Sequence, residues 1–213
     1  MLKTFSIGGI HPPDQKLSAD KSIELLPPPP RVAVPIAQHI GAPAKAEVKK
    51  GDLVKTGQRI AASGGFVSAN IHAPVSGKVF KVDETIDASG YRKPAIIIDV
   101  DGDEWDESID HSETLREEIT ISADEIIKKA GEMGIVGMGG ATFPSHVKLA
   151  PPPGKQCDVL IINGVECEPY LTGDHRIMLE KGKELIVGIR ILMKALKTER
   201  AIIGIENNKP AAI

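Results

Sequence analysis

Turn residues recur at short intervals in the first half of the chain, and this spacing constrains the fold more than any other feature. Short runs of valine, isoleucine and alanine lie between these turns, which are Lys50-Gly51-Asp52, Thr56-Gly57-Gln58, Ser63-Gly64-Gly65, Ser76-Gly77-Lys78 and Ser89-Gly90. Apolar runs of this length suit strands and are too short for helices. We therefore predict a small all-β sandwich or barrel between about residues 31 and 100.

The rhythm changes near residue 119, where the pattern predicts helices and strands in alternation. Ser122 and Glu125 have the spacing of a capping box at a helix start, and Gly134 ends that helix. Two later apolar runs, Val159-Leu160-Ile161-Ile162 and Ala201-Ile202-Ile203-Gly204-Ile205, flank a helical stretch with one apolar stripe. Strand, helix, strand predicts a βαβ unit with parallel strands, and an α/β domain that is incomplete in this chain.

Proline runs and an acidic stretch mark the predicted boundaries. Pro27 to Pro30 and Pro151 to Pro153 cannot lie inside helices or central strands, so they predict extended segments. The stretch from Asp99 to Asp110 is rich in acidic residues and predicts a solvated linker after a strand. We expect an arm at residues 1–30, a β domain at 31–105, an acidic linker at 106–118 and an α/β domain at 119–213.

Composition disfavours several classes of function. A formal charge of -3, a pI of about 6.1 and 3% aromatic residues argue against nucleic-acid binding. The six histidines lack metal-binding spacing, and Cys157 and Cys167 match no zinc or redox motif, so we predict no metal site. The start of the sequence has no apolar run long enough for a signal peptide or a transmembrane span, which predicts a cytosolic chain.

The densest functional signal is the glycine-rich stretch at residues 134–144. Four glycines within seven positions permit left-handed backbone angles and let a flat or phosphorylated ligand approach bare N–H groups. The stretch is not a Walker A loop, because no Gly-Lys-Ser/Thr follows, and it comes after a helix, unlike a dinucleotide-binding fingerprint. The glycines alone leave a flexible connector open as the alternative.

Polar residues follow the first predicted strand of the βαβ unit, where ligands gather in open α/β sheets. Asn163 offers a donor and an acceptor to the edge of a heterocycle, and Glu166 and Glu168 offer carboxylates to ribose hydroxyls or a nicotinamide amide. Glu206 and Asn207 lie on the same rim, after the second strand. Helix caps and solvated turns explain the same residue types, so both interpretations stay open at this point.

Together these motifs resemble the RnfC family of the Rnf ion-translocating ferredoxin:NAD⁺ oxidoreductase complex, and more distantly the flavin subunit of respiratory complex I. The matching segments are Gly137-Met138-Gly139-Gly140-Ala141-Thr142-Phe143-Pro144, Asn163-Gly164-Val165-Glu166-Cys167-Glu168-Pro169, Asp174-His175-Arg176, Gly8-Gly9-Ile10-His11-Pro12-Pro13 and Gln38-His39-Ile40-Gly41-Ala42-Pro43. The resemblance implies an α+β multidomain protein. An all-β barrel-sandwich hybrid, similar to biotinyl and lipoyl carrier domains, precedes the first part of an α/β FMN- and NADH-binding domain.

The resemblance also implies a cofactor site in which the FMN does the chemistry and the protein supplies position and field. The glycine loop cradles the FMN, Lys148 points towards its phosphate or ring, and Asn163 and Glu166 lie near the isoalloxazine, onto which NADH stacks and delivers a hydride to N5. Glu166 is the implied catalytic residue. The implied cofactor-binding residues are Gly137, Gly139, Gly140, Ala141, Phe143, Lys148, Asn163, Glu166, Cys167 and Glu168.

This sequence departs from the complex I pattern at four positions. Val136 and Met138 stand where that relative has arginines, and Val165 stands where it has an aspartate, so those charge contacts cannot be carried over. Thr142 replaces a usual glycine and stiffens the loop.

For function, the resemblance implies an NADH-dependent oxidoreductase subunit that passes electrons between NAD(H) and ferredoxin within a membrane ion-pumping complex. Its partners are the membrane and iron–sulfur subunits, ferredoxin is reached indirectly, and the subunit lies peripherally at the cytoplasmic face of the bacterial inner membrane. The family holds two [4Fe–4S] clusters in a region absent from this chain, so we expect the chain alone to be inactive. It is either a fragment or a naturally shortened relative.

Two other roles are set against this one. The first is a non-enzymatic docking or assembly module of the same complex. The second is a carrier domain, which is disfavoured because the matching hairpin tip, Phe66-Val67-Ser68-Ala69-Asn70, contains no lysine.

Overall fold

The computed structural model describes residues 12–87, 89–138 and 141–213. The strands are β1 (Arg31–Pro35), β2 (Lys45–Ala46), β3 (Leu53–Val54), β4 (Arg59–Ala62), β5 (Ile71–His72), β6 (Gly77–Ile86), β7 (Arg92–Val100), β8 (Leu160–Gly164) and β9 (Ala201–Ile205). The helices are α1 (Ala123–Glu132), α2 (Ser145–Lys148), α3 (Gly173–Glu180) and α4 (Gly182–Leu196), and a 3₁₀ turn spans Pro210–Ala212.

The first seven strands form two antiparallel sheets around one apolar core. One sheet has the order β1-β7-β6-β3 and the other has the order β2-β4-β5. Ile96 and Ile98 of β7 and Ile60 of β4 are completely buried, so both sheets contribute to the same core. Full burial of such a side chain contributes about 1.5–3 kcal/mol. The prediction of an all-β barrel-sandwich hybrid is confirmed.

Helix α1 begins and ends at the residues that the sequence indicates. The Ser122 Oγ accepts a hydrogen bond from the Glu125 amide (3.3 Å), and the Glu125 carboxylate accepts one from the Ser122 amide (2.8 Å). Gly134 follows the helix at φ +66°, a left-handed angle that favours glycine. The capping box and the helix end are confirmed.

Strands β8 and β9 form the predicted parallel pair. Their register runs from Leu160 opposite Ala201 to Gly164 opposite Ile205. The sequence predicts one helix between these strands, and the structure has two, α3 and α4. After β9 the chain forms the 3₁₀ turn that begins at Pro210.

The prediction of a solvated linker from Asp99 to Asp110 is wrong for its first part. Asp99 lies in β7, and the amide of Thr56 donates to the Glu104 carbonyl while the amide of Asp106 donates to the Thr56 carbonyl, each at 2.8 Å. Trp105 thereby forms a parallel bridge with Thr56. Acidic composition does not prevent this pairing, since the backbone makes the bonds while the carboxylates stay in water.

Backbone contacts divide the chain into two compact units. We call Leu26–Cys157 with Lys194–Lys197 the barrel unit, and Met1–Leu25 with Asp158–Met193 and Thr198–Ile213 the α/β unit. Residues 12–25 of the arm therefore group with β8 and β9, while α1 and α2 group with the barrel. The domain limits given by the sequence stay a prediction. Across the ranges that the structure describes, no helix has the length and apolar character needed to span a bilayer.

Candidate functional site

The glycine-rich stretch forms a loop with a closed neck in the barrel unit. Val136 bridges Pro144, the Gly137 amide donates to the Phe143 carbonyl (3.0 Å), and the Ser145 amide donates to the Ile135 carbonyl (2.9 Å). These bonds hold the two ends of the loop together. The predicted site residues Gly139 and Gly140 lie outside the described residues.

The Lys148 ammonium lies close to Gly137 of this loop. Helix α2 begins directly after Pro144 and places Lys148 in its last position. A Cβ atom at Gly137 would stand 3.0 Å from the Lys148 ammonium, which is tighter than ordinary contacts. Glycine at position 137 therefore lets a cation approach bare backbone.

Thr142 occupies a strained conformation within the loop. Its φ of +49° is uncommon for a residue other than glycine and is an outlier for a β-branched side chain. The Thr142 hydroxyl donates to the Ala141 carbonyl at 2.8 Å. The departure from the usual glycine thus falls at a position where the backbone still requires a left-handed angle.

The hairpin tip of the barrel, residues 66–70, contacts the chain on both sides of the glycine-rich loop. The Asn70 side-chain amide donates to the carbonyl of Glu132, the last residue of α1 (2.9 Å), and His146 Nε2 lies 3.3 Å from the Phe66 carbonyl oxygen. A Cβ at Gly134 would lie 2.1 Å from the Asn70 carbonyl oxygen, so only glycine fits there. Where a carrier domain would present a lysine, this tip contacts its own unit.

The other candidate residues lie on the loop after β8, in the α/β unit. The Asn163 side-chain oxygen accepts from the Val165 amide at 3.0 Å. Glu166 is 4% exposed, and its carboxylate accepts from the amides of Asp174 (2.8 Å) and His175 (3.4 Å) at the start of α3. A carboxylate at a helix N-terminus stabilises both the unpaired N–H groups and the helix dipole. The helix-cap interpretation of Glu166 therefore holds, and its catalytic role stays a prediction.

Two lysines that the sequence did not single out contribute charge to this side of the α/β unit. Lys209 is buried, and its ammonium lies 2.7 Å from a Glu206 carboxylate oxygen. This hydrogen bond lowers the pKa of Glu206, and the charge of Lys16 lowers that pKa further. No local motif marks Lys16, because it acts on a residue 150 positions away.

The structure brings the candidate residues together in two groups. Gly137, Phe143 and Lys148 form the group in the barrel unit, with Ala141 exposed on the same loop, while Asn163, Glu166, Cys167 and Glu168 form the group in the α/β unit. The first group places the Lys148 ammonium beside Gly137, and an ammonium is one of the donors that the phosphate of FMN requires. Within the described ranges, no three His, Cys, Asp or Glu side chains are placed to hold a metal ion.

Comparison with known sequences matches two domain families in succession. Residues 3–103 match the RnfC barrel sandwich hybrid domain, and residues 130–213 match the Nuo51 FMN-binding domain. The two matches cover the barrel and the two candidate loops.

Full-length relatives extend this similarity. The chain is 53% identical over its whole length to the C subunit of the proton-translocating ferredoxin:NAD(+) oxidoreductase complex of Clostridium ljungdahlii, of which it covers 46%. It is 47% identical over 97% of its length to the Na(+)-translocating counterpart of Acetobacterium woodii, of which it covers 46%. It is 48% identical over its whole length to the C subunit of the ion-translocating oxidoreductase complex of Rhodobacter capsulatus, of which it covers 41%. The chain thus spans less than half the length of these relatives.

Proposed function

This chain belongs to the RnfC family, and we propose that it forms the FMN-binding part of an electron-transfer subunit of an Rnf-type complex. The names of its relatives specify ferredoxin and NAD(+) as reactants and an ion as the transported species. We propose the same reactants for the whole protein, with the other complex subunits as partners and a peripheral place at the cytoplasmic face of the membrane. Iron–sulfur clusters are proposed only for the part beyond this chain.

One observation carries the proposal: the closed glycine loop with Lys148 against Gly137. A phosphate is bound well by converging backbone N–H groups and a cation, because each hydrogen bond is then charge-assisted. Lys148 supplies the cation in this proposal. The Gly137 N–H is already bonded to the Phe143 carbonyl, so the N–H donors are proposed to come from other residues of the loop. The Val136–Pro144 bridge holds the two ends of the loop together before the ligand arrives, which reduces the entropy lost on binding.

The residues after β8 are proposed to orient the ring system. Bound FMN supplies the chemistry of accepting a hydride from NADH and releasing electrons singly. Asn163 is exposed and offers its carboxamide to a heterocycle edge. Glu166 fixes the loop through the start of α3, and the same carboxylate is the proposed catalytic group of the site.

The test is an FMN titration followed by flavin fluorescence, using this chain and the whole subunit, with Lys148→Met as the variant. Removal of one charge-assisted phosphate contact is expected to weaken FMN binding by about tenfold or more. Lys155→Met is the matched control, because Lys155 is an exposed lysine of the same unit beyond the loop. Absence of FMN binding by both wild-type proteins would refute the proposal.

A docking or assembly module stays the second candidate function, because the contacts of the barrel tip argue only against the carrier alternative. At the tip, the Asn70 side chain and the Phe66 carbonyl bond to other residues of the barrel unit, so this hairpin has a structural role. It also contains no lysine that a carrier domain would need. A module of this kind would bind partner subunits without FMN. Co-purification of tagged chain with partner subunits from flavin-depleted cells would support it.

A further inference from the structure

The arm that precedes the barrel makes an unusual contact with the loop after β8. The Lys16 ammonium lies 2.8 Å from the Glu166 carbonyl oxygen, 2.7 Å from that of Glu168 and 2.8 Å from that of Leu171. The neighbouring Gln15 amide donates to the Pro169 carbonyl at 3.0 Å. Two consecutive residues of the arm therefore bind four carbonyl groups of a six-residue stretch.

The geometry satisfies the ammonium completely. A lysine has three N–H donors and no acceptor, and in this contact each donor has one carbonyl oxygen. Three carbonyl dipoles that point at one place repel each other unless a cation lies between them. The conformation of the loop consequently depends on the charge of Lys16.

Further contacts fix the arm along α3, so that Lys16 is not an isolated side chain reaching over the surface. Ser18 and Thr172 share a hydrogen bond between their hydroxyls (2.7 Å), and Arg176 donates to the Ala19 carbonyl (2.9 Å). The Ile23 amide donates to the Glu180 carboxylate at 3.1 Å. The arm is thus bound at several points to the helix that Glu166 caps.

The Lys16 contact also sets the direction of the next amide. In a trans peptide the N–H of one residue points opposite to the carbonyl of the residue before it. Because the Glu166 carbonyl points at Lys16, the Cys167 N–H points away from Lys16. The described residues contain no cis peptide bond.

We propose that Lys16 is a positioning residue of the cofactor loop, which sets the Asn163–Glu168 backbone in the geometry that receives the flavin ring. The identity of the ligand in this inference rests on the proposed function. The contact between the Lys16 ammonium and the three loop carbonyls, which we call the Lys16 clamp, rests on the geometry alone. Lys16 acts through the loop and does not touch the cofactor.

The test compares Lys16→Met with Lys16→Arg, and with Lys21→Met as the control. Lys21 is an exposed arm lysine of the same unit, and its backbone amide donates to the Ser18 carbonyl, a bond that the substitution keeps. Hydrogen exchange measures the exchange rates of amides in the loop and α3 separately from those in the barrel. The rates of the barrel amides show whether each variant is folded. Lys16→Met is expected to speed exchange of residues 164–174 by about tenfold or more while barrel amides stay unchanged.

The second readout is the bound flavin. Lys16→Met is expected to weaken FMN binding by about tenfold and to change the visible circular dichroism of FMN at saturation, and Lys16→Arg is expected to restore part of both. A role in fold stability alone would leave the spectrum of the saturated flavin unchanged, and that result would overturn the positioning role.

The two proposals fail in different ways. If the wild-type proteins bind no FMN, the proposed function fails and the positioning role fails with it, while the exchange data still decide whether Lys16 clamps the loop. If the wild type binds FMN and Lys16→Met matches Lys21→Met in exchange and affinity, only the inference about Lys16 is wrong.

Discussion

The barrel unit and the α/β unit both contain strands rich in isoleucine, but they use these side chains differently. In the barrel, Ile60, Ile96 and Ile98 are 0% exposed. In the α/β unit, Ile161 of β8 is 67% exposed and Ile202 of β9 is 49% exposed. The barrel therefore closes around its own core, while the β8–β9 pair leaves much of its apolar surface uncovered.

This difference indicates which interactions stabilise each unit. Apolar burial stabilises the barrel, and each deletion in its core should be costly. Order in the α/β unit depends more on polar contacts, including the arm, the Glu166 cap and the buried Lys209. The candidate ligand residues lie on the glycine-rich loop and α2 in the first unit and on the loop after β8 in the second.

The largest expected effect tests the barrel core directly. Ile98→Ala should lower the free energy of unfolding by about 2–5 kcal/mol, because it leaves a cavity in a closed core. Ile161→Ala, the matched change in the α/β unit, should cost less than about 0.5 kcal/mol because the side chain is already in water. Urea unfolding followed by Trp105 fluorescence for the barrel and circular dichroism for the helices measures both. Equal losses would remove the contrast between the two units.

The second prediction concerns the contact between the barrel tip and the glycine loop. Gly134→Ala should cost about 3 kcal/mol, because the new methyl group would strike the Asn70 carbonyl at a left-handed backbone angle. Gly154→Ala is the control, since Gly154 also has a positive φ but nothing lies within 4 Å of the new Cβ. That change should cost only about 1 kcal/mol. The same urea titration separates them, and similar losses would show that the tip contact contributes little.

A third prediction compares the helix caps of the two units. Glu166→Ala should destabilise α3 by about 2 kcal/mol, because it removes two charge-assisted bonds to the Asp174 and His175 amides. Ser122→Ala should destabilise α1 by about 1 kcal/mol, because one local cap is lost. Hydrogen exchange of the first turn of each helix measures these losses. We expect Glu166→Ala also to loosen the loop before α3, whereas Ser122→Ala should act on α1 only.

The smallest effect is a pH dependence confined to the barrel. Burial lowers the pKa of His72, Arg59 lowers it further and Asp106 opposes them. The unfolded chain therefore binds the proton more readily, so the barrel loses stability as the pH falls below the ordinary histidine pKa of 6.5. The urea midpoint from Trp105 fluorescence should fall between about pH 7.5 and about pH 5.5, and His72→Gln should reduce that fall. An unchanged pH dependence in His72→Gln would contradict the assignment.

The sequence predicted those features that depend on neighbouring residues. The short strands, the Ser122–Glu125 capping box and the parallel pair of apolar runs are local patterns, and each is present in the structure. The glycine loop was visible for the same reason. Helix α3 was missed because its N-terminal N–H groups are satisfied by Glu166, which lies outside the helix and its capping positions.

Long-range contacts could not be predicted from one sequence. The Lys16 ammonium reaches a carbonyl 150 residues away, and Asn70 reaches one 62 residues away, and neither pairing leaves a periodic pattern. The pairing of the acidic stretch with the barrel could not be predicted for a related reason. Composition describes side chains, whereas the Thr56–Trp105 bridge is made by the backbone.

The Lys16 clamp has a consequence for the order in which the protein assembles during translation. Strands β1 to β7 have all been synthesised once residue 100 has left the ribosome, so the two barrel sheets can pair early, from contacts of moderate sequence separation. The arm emerges before the barrel, yet the Leu171 carbonyl that Lys16 binds is made only later, and Glu180, which binds the Ile23 amide, is made later still. A segment that precedes the barrel in the chain therefore docks only after the barrel strands have been made, and a ribosome that stalls between these two points holds a chain with paired barrel sheets and an undocked arm.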